Sequence, residues 1–466
     1  MPDHDPASSH ADLAALDRAH LWHPFTHMQQ WMDDDPVVIV AGDGRRVQDA
    51  NGNWYWDGHS SLWVNLHGHR EPALDAAIRD QLDRVAHTTQ LGLASSPAIH
   101  LAKRLSGMTG DRLSRVFLSD NGATAVEAAL KIAVQYHHNR GDRRRQKILG
   151  FTDNYHGDTV GAMSVAPDDL FHHPFLGRLP AHPRAPYPNV YRWPDRRLDS
   201  PHVCAAALSE TEKVIRAHAD ELAAIIVEPV EGAGGIIPAP PGFLRGLREL
   251  ADRFGVLLIV DEVATGFGRT GRLFAWQADG DRAVPDLLCL GKGITGGYLP
   301  LAATLVREEI FREFLGEVDS GRTFFHGHSY TGNQLGCAVA LASADLLEQH
   351  VLPTLPDMVA QISRGLERLA ILPHVGSVRQ AGTMVGIELV ADKATRARFA
   401  YRHRVGELVV REARTRGMII RPIGGTVIFM PPLASKPDEL DAMLKILDES
   451  LRAAMPRLAE LAAMAT

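Results

Sequence analysis

Cysteine is almost missing from this sequence: Cys204, Cys289 and Cys337 are the only three in 466 residues, and their spacing shows no pairs. That excludes a disulfide framework and a cysteine-ligated zinc site. It fits a reducing cytoplasm, which is the expected location. An excess of charge is missing too. Lys and Arg total 49 against 56 Asp and Glu, for a net charge of −7, so no overall field would draw in nucleic acid or an anionic membrane. The one basic run, Arg143–Arg145, lies between Asp142 and Lys147 and reads as a solvated loop. No apolar run approaches the ~20 residues that span a bilayer. The opening MPDHDPASSH has neither the basic nor the apolar region of a secretory signal, so export is not expected. Internal repeats, low-complexity stretches, a Walker A loop and a Gly-x-Ser-x-Gly elbow are also absent.

What is present is an ordinary globular composition, 45% hydrophobic and 23% charged, long enough for two or three domains. Short apolar runs predict strands at 115–118, 147–151, 223–227, 256–260, 287–290 and 302–306. Between and around them, helical periodicity is expected at 73–85, 97–105, 123–136, 209–218, 242–254 and 333–350. This alternation argues for an α/β fold with a mainly parallel sheet, whose ligands gather at the carboxyl ends of the strands. Before it, residues 1–20 read as a flexible tail and a short helix, and 37–41 with 54–57 as a small antiparallel sheet. After it, strands are expected at 384–389, at 418–421 and near 427–430, with helices near 407–416 and from 437 onward. The proline-rich 179–194 reads as a surface loop.

The chemistry is concentrated at strand ends. DLLCLGKG (286–293) delivers Lys292 from a buried strand between two glycines. An amine at the mouth of an apolar core is poorly solvated, so it should lose its proton easily and can attack a carbonyl to form a Schiff base. Asp261 ends another apolar run 31 positions earlier, a separation that suits neighbouring parallel strands. A lysine and an aspartate so placed suit pyridoxal phosphate (PLP), holding its aldehyde and its ring nitrogen. Taken alone, the pair also fits two strands merely leaving the core. SDNGAT (119–124) follows a strand and opens a helix, making Gly122 and Ala123 a candidate anion cradle, or else a plain capped turn. Tyr155, also just past a strand, can lie flat on a ring. Two Gly-x-Gly-x-x-Gly matches, at 266–271 and 291–296, keep a dinucleotide-binding oxidoreductase as a rival. Asp286 precedes its strand, however, and Lys292 inside the second match has no role with a pyrophosphate. His-Gly-His occurs at 67–69 and 326–328 with no third ligand at metal-binding spacing, so no metal is expected. Arg421, after an apolar strand, is a candidate carboxylate clamp or a surface ion pair.

Together the runs LIVDEVATGFGRTG (258–271) and PDLLCLGKGITGG (285–297) closely resemble the lysine signature of class III (ω-type) aminotransferases of PLP fold type I. The likeness runs from about Trp22 to the last helix. Within that family the chain is most similar to the branch that aminates 7-keto-8-aminopelargonate in biotin synthesis, through WHPFT (22–26), DGHSSLWVNLHGH (57–69), YHGDT (155–159), RPIG (421–424) and MPP (430–432). The resemblance implies that Lys292 is the Schiff-base lysine, Asp261 the partner of the ring nitrogen, and Tyr155 a stacking and catalytic residue. It implies that Gly122 and Ala123 hold phosphate, joined by His328 and Ser329 from the second subunit of a homodimer with shared sites. Substrate contacts would come from Phe25, Leu62, Trp63, Tyr155, Arg269, Lys292, Gly327 and Arg421, with Arg269 lining the donor side. The family fold implies an N-terminal segment (1–71), a large PLP-binding domain (72–345) and a smaller α+β domain built from the two chain ends and completed by 346–466. The partners are a small-molecule amino donor and a keto acid. Phe25 stands where the better-known branch has tyrosine, and Leu62-Trp63 where it has a Trp-Trp pair, so the donor is S-adenosylmethionine or lysine. An ω-amino acid or diamine:pyruvate aminotransferase, or a PLP-dependent mutase, would share the scaffold.

Overall fold

The computed structural model describes residues 9–167 and 171–464. The expected flexible tail falls largely on 1–8, outside them; the short helix after it spans His10–His20 and is capped by Ser9.

Seven strands form the central sheet: β1 (Arg115–Ser119), β2 (Lys147–Phe151), β3 (Arg184–Ala185), β4 (Leu222–Val227), β5 (Leu257–Asp261), β6 (Leu287–Leu290) and β7 (Ala302–Val306). Their order is β1-β7-β6-β5-β4-β2-β3. All neighbours are parallel except β7, which is antiparallel to both β6 and β1. Only residues 291–301 join β6 to β7, too few for a crossover helix, so the chain returns antiparallel. The carboxyl ends of β1, β2, β4, β5 and β6 therefore share one edge of the sheet. Core packing covers both faces: Leu258, Val260 and Leu288 belong to one buried cluster, and Leu257, Ile259 and Leu287 to the other. That is why these strands read as unbroken apolar runs rather than alternating ones.

Two further four-stranded sheets flank this unit. Ile39–Asp43, Arg46–Asp49 and Trp54–Asp57 are joined by Met418–Ile419, which pairs parallel to Trp54–Asp57 and so ties the two chain ends together. Val375–Ala381, Met384–Leu389, Thr426–Phe429 and Arg421–Ile423 form the other. The single strand expected over 418–421 is thus corrected. Met418 pairs with Trp56 and Arg421 with Ile428, and the chain turns between the sheets at the buried Ile420. Five strands were not foreseen, two of them the short pair Val230–Glu231 and Ile237–Pro238. Val375–Ala381 is part-buried along most of its length and lacks alternation, Arg46–Asp49 sits in what reads as a turn, and the short β3 lies inside the proline-rich loop. The expected helices are present with shifted ends, while Met28–Asp33, Val160–Val165, Glu308–Arg312 and Leu355–Leu366 were not foreseen. The largest change is Ser200–Ala217, which starts at an Asp199 cap with Pro201 in its first turn. Among the described residues no single helix is long and apolar enough to cross a membrane.

Candidate active site

Lys292 and Asp261 stand at the ends of adjacent parallel strands, with Asp261 in register with Cys289. A cavity of about 690 Å³ opens between them, lined by Lys292, Asp261, Trp63, Gly122, Ala123, Tyr155 and Glu228 among others. Lys292 has a left-handed backbone (φ 42°), and its Nζ lies 4.7 Å from the Trp63 ring centroid. Burial lowers its pKa, while Asp261 and Glu228 pull the other way and Arg269 adds to the lowering.

Asp261 is nearly buried and fully engaged. Its Oδ2 accepts a 2.7 Å hydrogen bond from His156 Nδ1, and its Oδ1 accepts from the Val263 N–H. The His156 side chain has no exposed surface, and its Nε2 has no protein partner among the described residues. Glu228 accepts from the Tyr155 and Gly232 N–H groups, at 2.9 and 3.2 Å. Burial and the Asp261 charge raise its pKa against the opposing pull of His156. It therefore ties the Tyr155 loop to the segment after β4. The Tyr155 hydroxyl donates to Asp158 Oδ2 at 2.8 Å, and burial with that carboxylate pushes its pKa up.

Past β1, Asn121 caps the helix Gly122–Asn139 in a capping box with Thr124. Capping satisfies the Thr124 N–H and leaves those of Gly122 and Ala123 without intrahelical partners, where both residues line the cavity. The approach to this helix end is tight. A Cβ on Gly122 would come within 2.5 Å of Val263, and one on Gly157 (φ 119°) within 2.4 Å of Ala123.

The remaining candidates are spread around this centre. Phe25 (φ 49°) is half-exposed and meets Tyr155 edge-on at 6.5 Å, with the Arg421 guanidinium 6.0 Å from its ring. Arg421 has no ion-pair partner among the described residues. Leu62 is exposed beside the buried Trp63. Arg269 is 1% exposed, donating to the carbonyls of Pro431, Asn65 and Trp63. It is therefore held by backbone rather than lining the cavity. Gly327 (φ 155°) and Ser329 are exposed, and His328 lies 3.8 Å from Asp120. Asp286, the acidic residue past the first glycine match, accepts from Arg248 and the Leu258 N–H. Sequence reasoning gave no role to His156 or Glu228. The signal available was position: Glu228 directly follows β4, and His156 lies in the loop after β2, both strands aimed at this edge.

This arrangement fits PLP. A desolvated amine suits the aldehyde, a hydrogen-bonded buried carboxylate suits the ring nitrogen, and a helix amino terminus with free N–H groups suits the phosphate.

Comparisons with known proteins point the same way. The family described as aminotransferase class-III matches residues 27–451. The adenosylmethionine-8-amino-7-oxononanoate aminotransferase of Nitratidesulfovibrio vulgaris is 52% identical over 444 residues, 94% of this chain and 81% of that protein. The crystal structure of the enzyme of the same name from Methanocaldococcus jannaschii superposes with a TM-score of 0.89 at 40% identity, over 95% of this chain and 98% of that one. An amine transaminase from an uncultivated Pseudomonas species, solved in its PLP-bound (internal aldimine) form, has the same TM-score of 0.89 at 36% identity, over 93% and 98% of the two chains.

Proposed function

This chain belongs to the class-III aminotransferases, which are PLP-dependent transaminases, and from that premise we propose that it aminates 8-amino-7-oxononanoate (7-keto-8-aminopelargonate) to 7,8-diaminopelargonate in biotin synthesis. The observation that carries the choice of substrate is Arg421. It is a guanidinium without an ion-pair partner among the described residues, set against Phe25 beside Tyr155. A substrate with a carboxylate far from its ketone would answer that charge, and the apolar ring would cover the chain between them. The relatives at 40–52% identity that carry this activity in their names support the reading.

PLP, when bound, supplies an aldehyde that captures amines and a ring that accepts electrons. The chain supplies the rest. Lys292, easily deprotonated, takes and returns the proton at the substrate carbon. Asp261, oriented by His156, would keep the ring nitrogen protonated. Gly122 and Ala123 would hold the phosphate, and Tyr155 would flank the ring. His328 and Ser329 would complete the phosphate site from a second subunit. The exposed Phe325 and Tyr330, beside those residues in sequence, and the exposed Leu91 and Leu93, a few positions past His87, whose ring meets the Ser329 carbonyl at 2.8 Å, support such a homodimer. The chain is organised as an N-terminal segment (1–71), a coenzyme domain (72–345) and a small domain (346–466), and it works in the cytoplasm.

The test is a turnover assay of the purified protein with 8-amino-7-oxononanoate, offering S-adenosylmethionine and lysine separately. Diaminopelargonate should form with one of them, and Lys292→Ala should abolish it in a folded protein. No turnover with either donor, together with amination of pyruvate by diamines, would replace this reading with an ω-amine transaminase.

A further inference from the structure

Ser60, Ser61, Leu62 and Trp63 all have left-handed backbones, with φ of 52°, 48°, 68° and 72°. None is glycine, and side chains disfavour this region residue by residue. A run of four persists only if the surroundings over-determine it. Three anchors do so. Ser60 Oγ donates to the Met430 carbonyl at 2.6 Å. Arg269 holds the carbonyls of Trp63 and Asn65. Asp57 accepts from both the Ser61 N–H and the Ser61 hydroxyl, each at 2.8 Å. The turn delivers Trp63 against Lys292 Nζ on one side and against Gly232 on the other, where an added Cβ would come within 3.0 Å of the ring.

We propose that Asp57 is a positioning residue for the reaction: its carboxylate locks the left-handed turn Ser60–Trp63 in the conformation that holds Trp63 over the Lys292 amine and covers that side of it from water. The proposal rests on Lys292 being the reactive amine. Asp57 itself is 1% exposed, with His69 Nε2 donating to it at 3.2 Å and His59 Nδ1 also at 3.2 Å but poorly aligned for a hydrogen bond. Burial opposes its charge, yet these histidines and Ser61 hold the carboxyl well below the ordinary range, so it stays an acceptor. The groups facing Lys292 are Asp261 and Glu228, which favour its charged form, and Arg269, which opposes it.

The experiment reads the amine directly in the full chain freed of coenzyme. Trace acetylation across a pH series, with peptide mass spectrometry of Lys292, gives its titration midpoint without any substrate. Two mechanisms predict opposite signs for Asp57→Asn. Loss of a nearby negative charge alone would lower the midpoint. Release of Trp63 would let water reach the amine and raise it, and we expect a rise of about half a pH unit or more. Ser61→Ala, which removes one of the two donors and is the milder change, should shift it the same way by less. In a Trp63→Leu background Asp57→Asn should add no further rise, because Asp57 acts through that ring. Asp49→Asn is the matched control. Asp49 is also a buried carboxylate in the same small sheet, accepting from Asn51, Asn53 and Tyr55 away from the cavity, and its loss should leave the midpoint unchanged. A midpoint that falls or stays fixed in both Asp57→Asn and Ser61→Ala, or that moves equally in Asp49→Asn, overturns the proposal. Failure of the transaminase reading would show separately, in the substrate assay of the unaltered protein.

Discussion

At the scale of single residues, the site depends on groups that are buried yet polar, and each is answered by a specific partner. Asp261 can face a ring nitrogen only if its carboxylate is held in one orientation, and His156 holds it at 2.7 Å. Hydrogen bonds to charged groups contribute about 1.5–3 kcal/mol. His156→Ala should therefore weaken coenzyme affinity by roughly tenfold or more, measured by titrating the apoprotein with PLP and following the bound chromophore. His156→Asn, which keeps a donor amide, should recover part of the loss. Unchanged affinity in the alanine variant would remove His156 from the site. Lys292 and Asp261 were legible from sequence because a charged residue ending an unbroken apolar run has few places to go. His156 was not, although its motif was in plain view. Its partner lies 105 residues away, and nothing in a linear pattern states that two strand ends are neighbours.

At the scale of elements, the same contrast separates what periodicity reveals from what it hides. Strands buried on both faces appear as solid apolar runs, and six of the seven central strands have ends within a residue of those expected, β3 alone being unforeseen. The left-handed turn at 60–63 and the corner at Ile420 were invisible, since both are imposed by distant anchors rather than by local propensity. The helix Gly122–Asn139 lies between these cases. Its start was readable from the small residues, and its cap now identifies a dual role for Asn121. The side chain satisfies one orphan donor and, by fixing the first turn, aims the next two at an anion. Asn121→Ala should cost about 1 kcal/mol of stability. If the cap also shapes the anion site, the same variant should lower affinity for inorganic phosphate in the coenzyme-free protein. Thermal unfolding with and without phosphate checks both, and a stability loss with unchanged phosphate stabilisation would confine Asn121 to capping.

At the scale of the whole molecule, two carboxyls, Glu228 and Glu262, lie on the inner side of the same sheet edge, both buried and both with raised pKa values. Glu228 lines the cavity beside Asp261 and His156, so Glu262 is the cleaner probe. It accepts from the Ala275 and Trp276 N–H groups at 2.7 and 2.8 Å and from Thr265, which favours its charge, but burial outweighs them and pushes it up to about 7. The sign follows from linkage. A carboxyl that holds its proton more tightly folded than unfolded stabilises the fold fully below its unfolded pKa of roughly 4.3, and that contribution is lost as pH rises through the folded value. Between pH 5 and 8 the protein should therefore lose up to about 3 kcal/mol from this one group. Glutamine is the uncharged isostere of the protonated form, so Glu262→Gln should melt close to the parent at pH 5.5 and several degrees above it at pH 8. The check is the difference in melting temperature across that range, in coenzyme-free protein. Lys292, whose pKa is lowered, has the opposite slope and is present in both proteins, so it cancels. A difference that stays flat, or that favours the parent as pH rises, would mean that Glu262 is charged in the fold at all these pH values and that its three donors, not its burial, set its state.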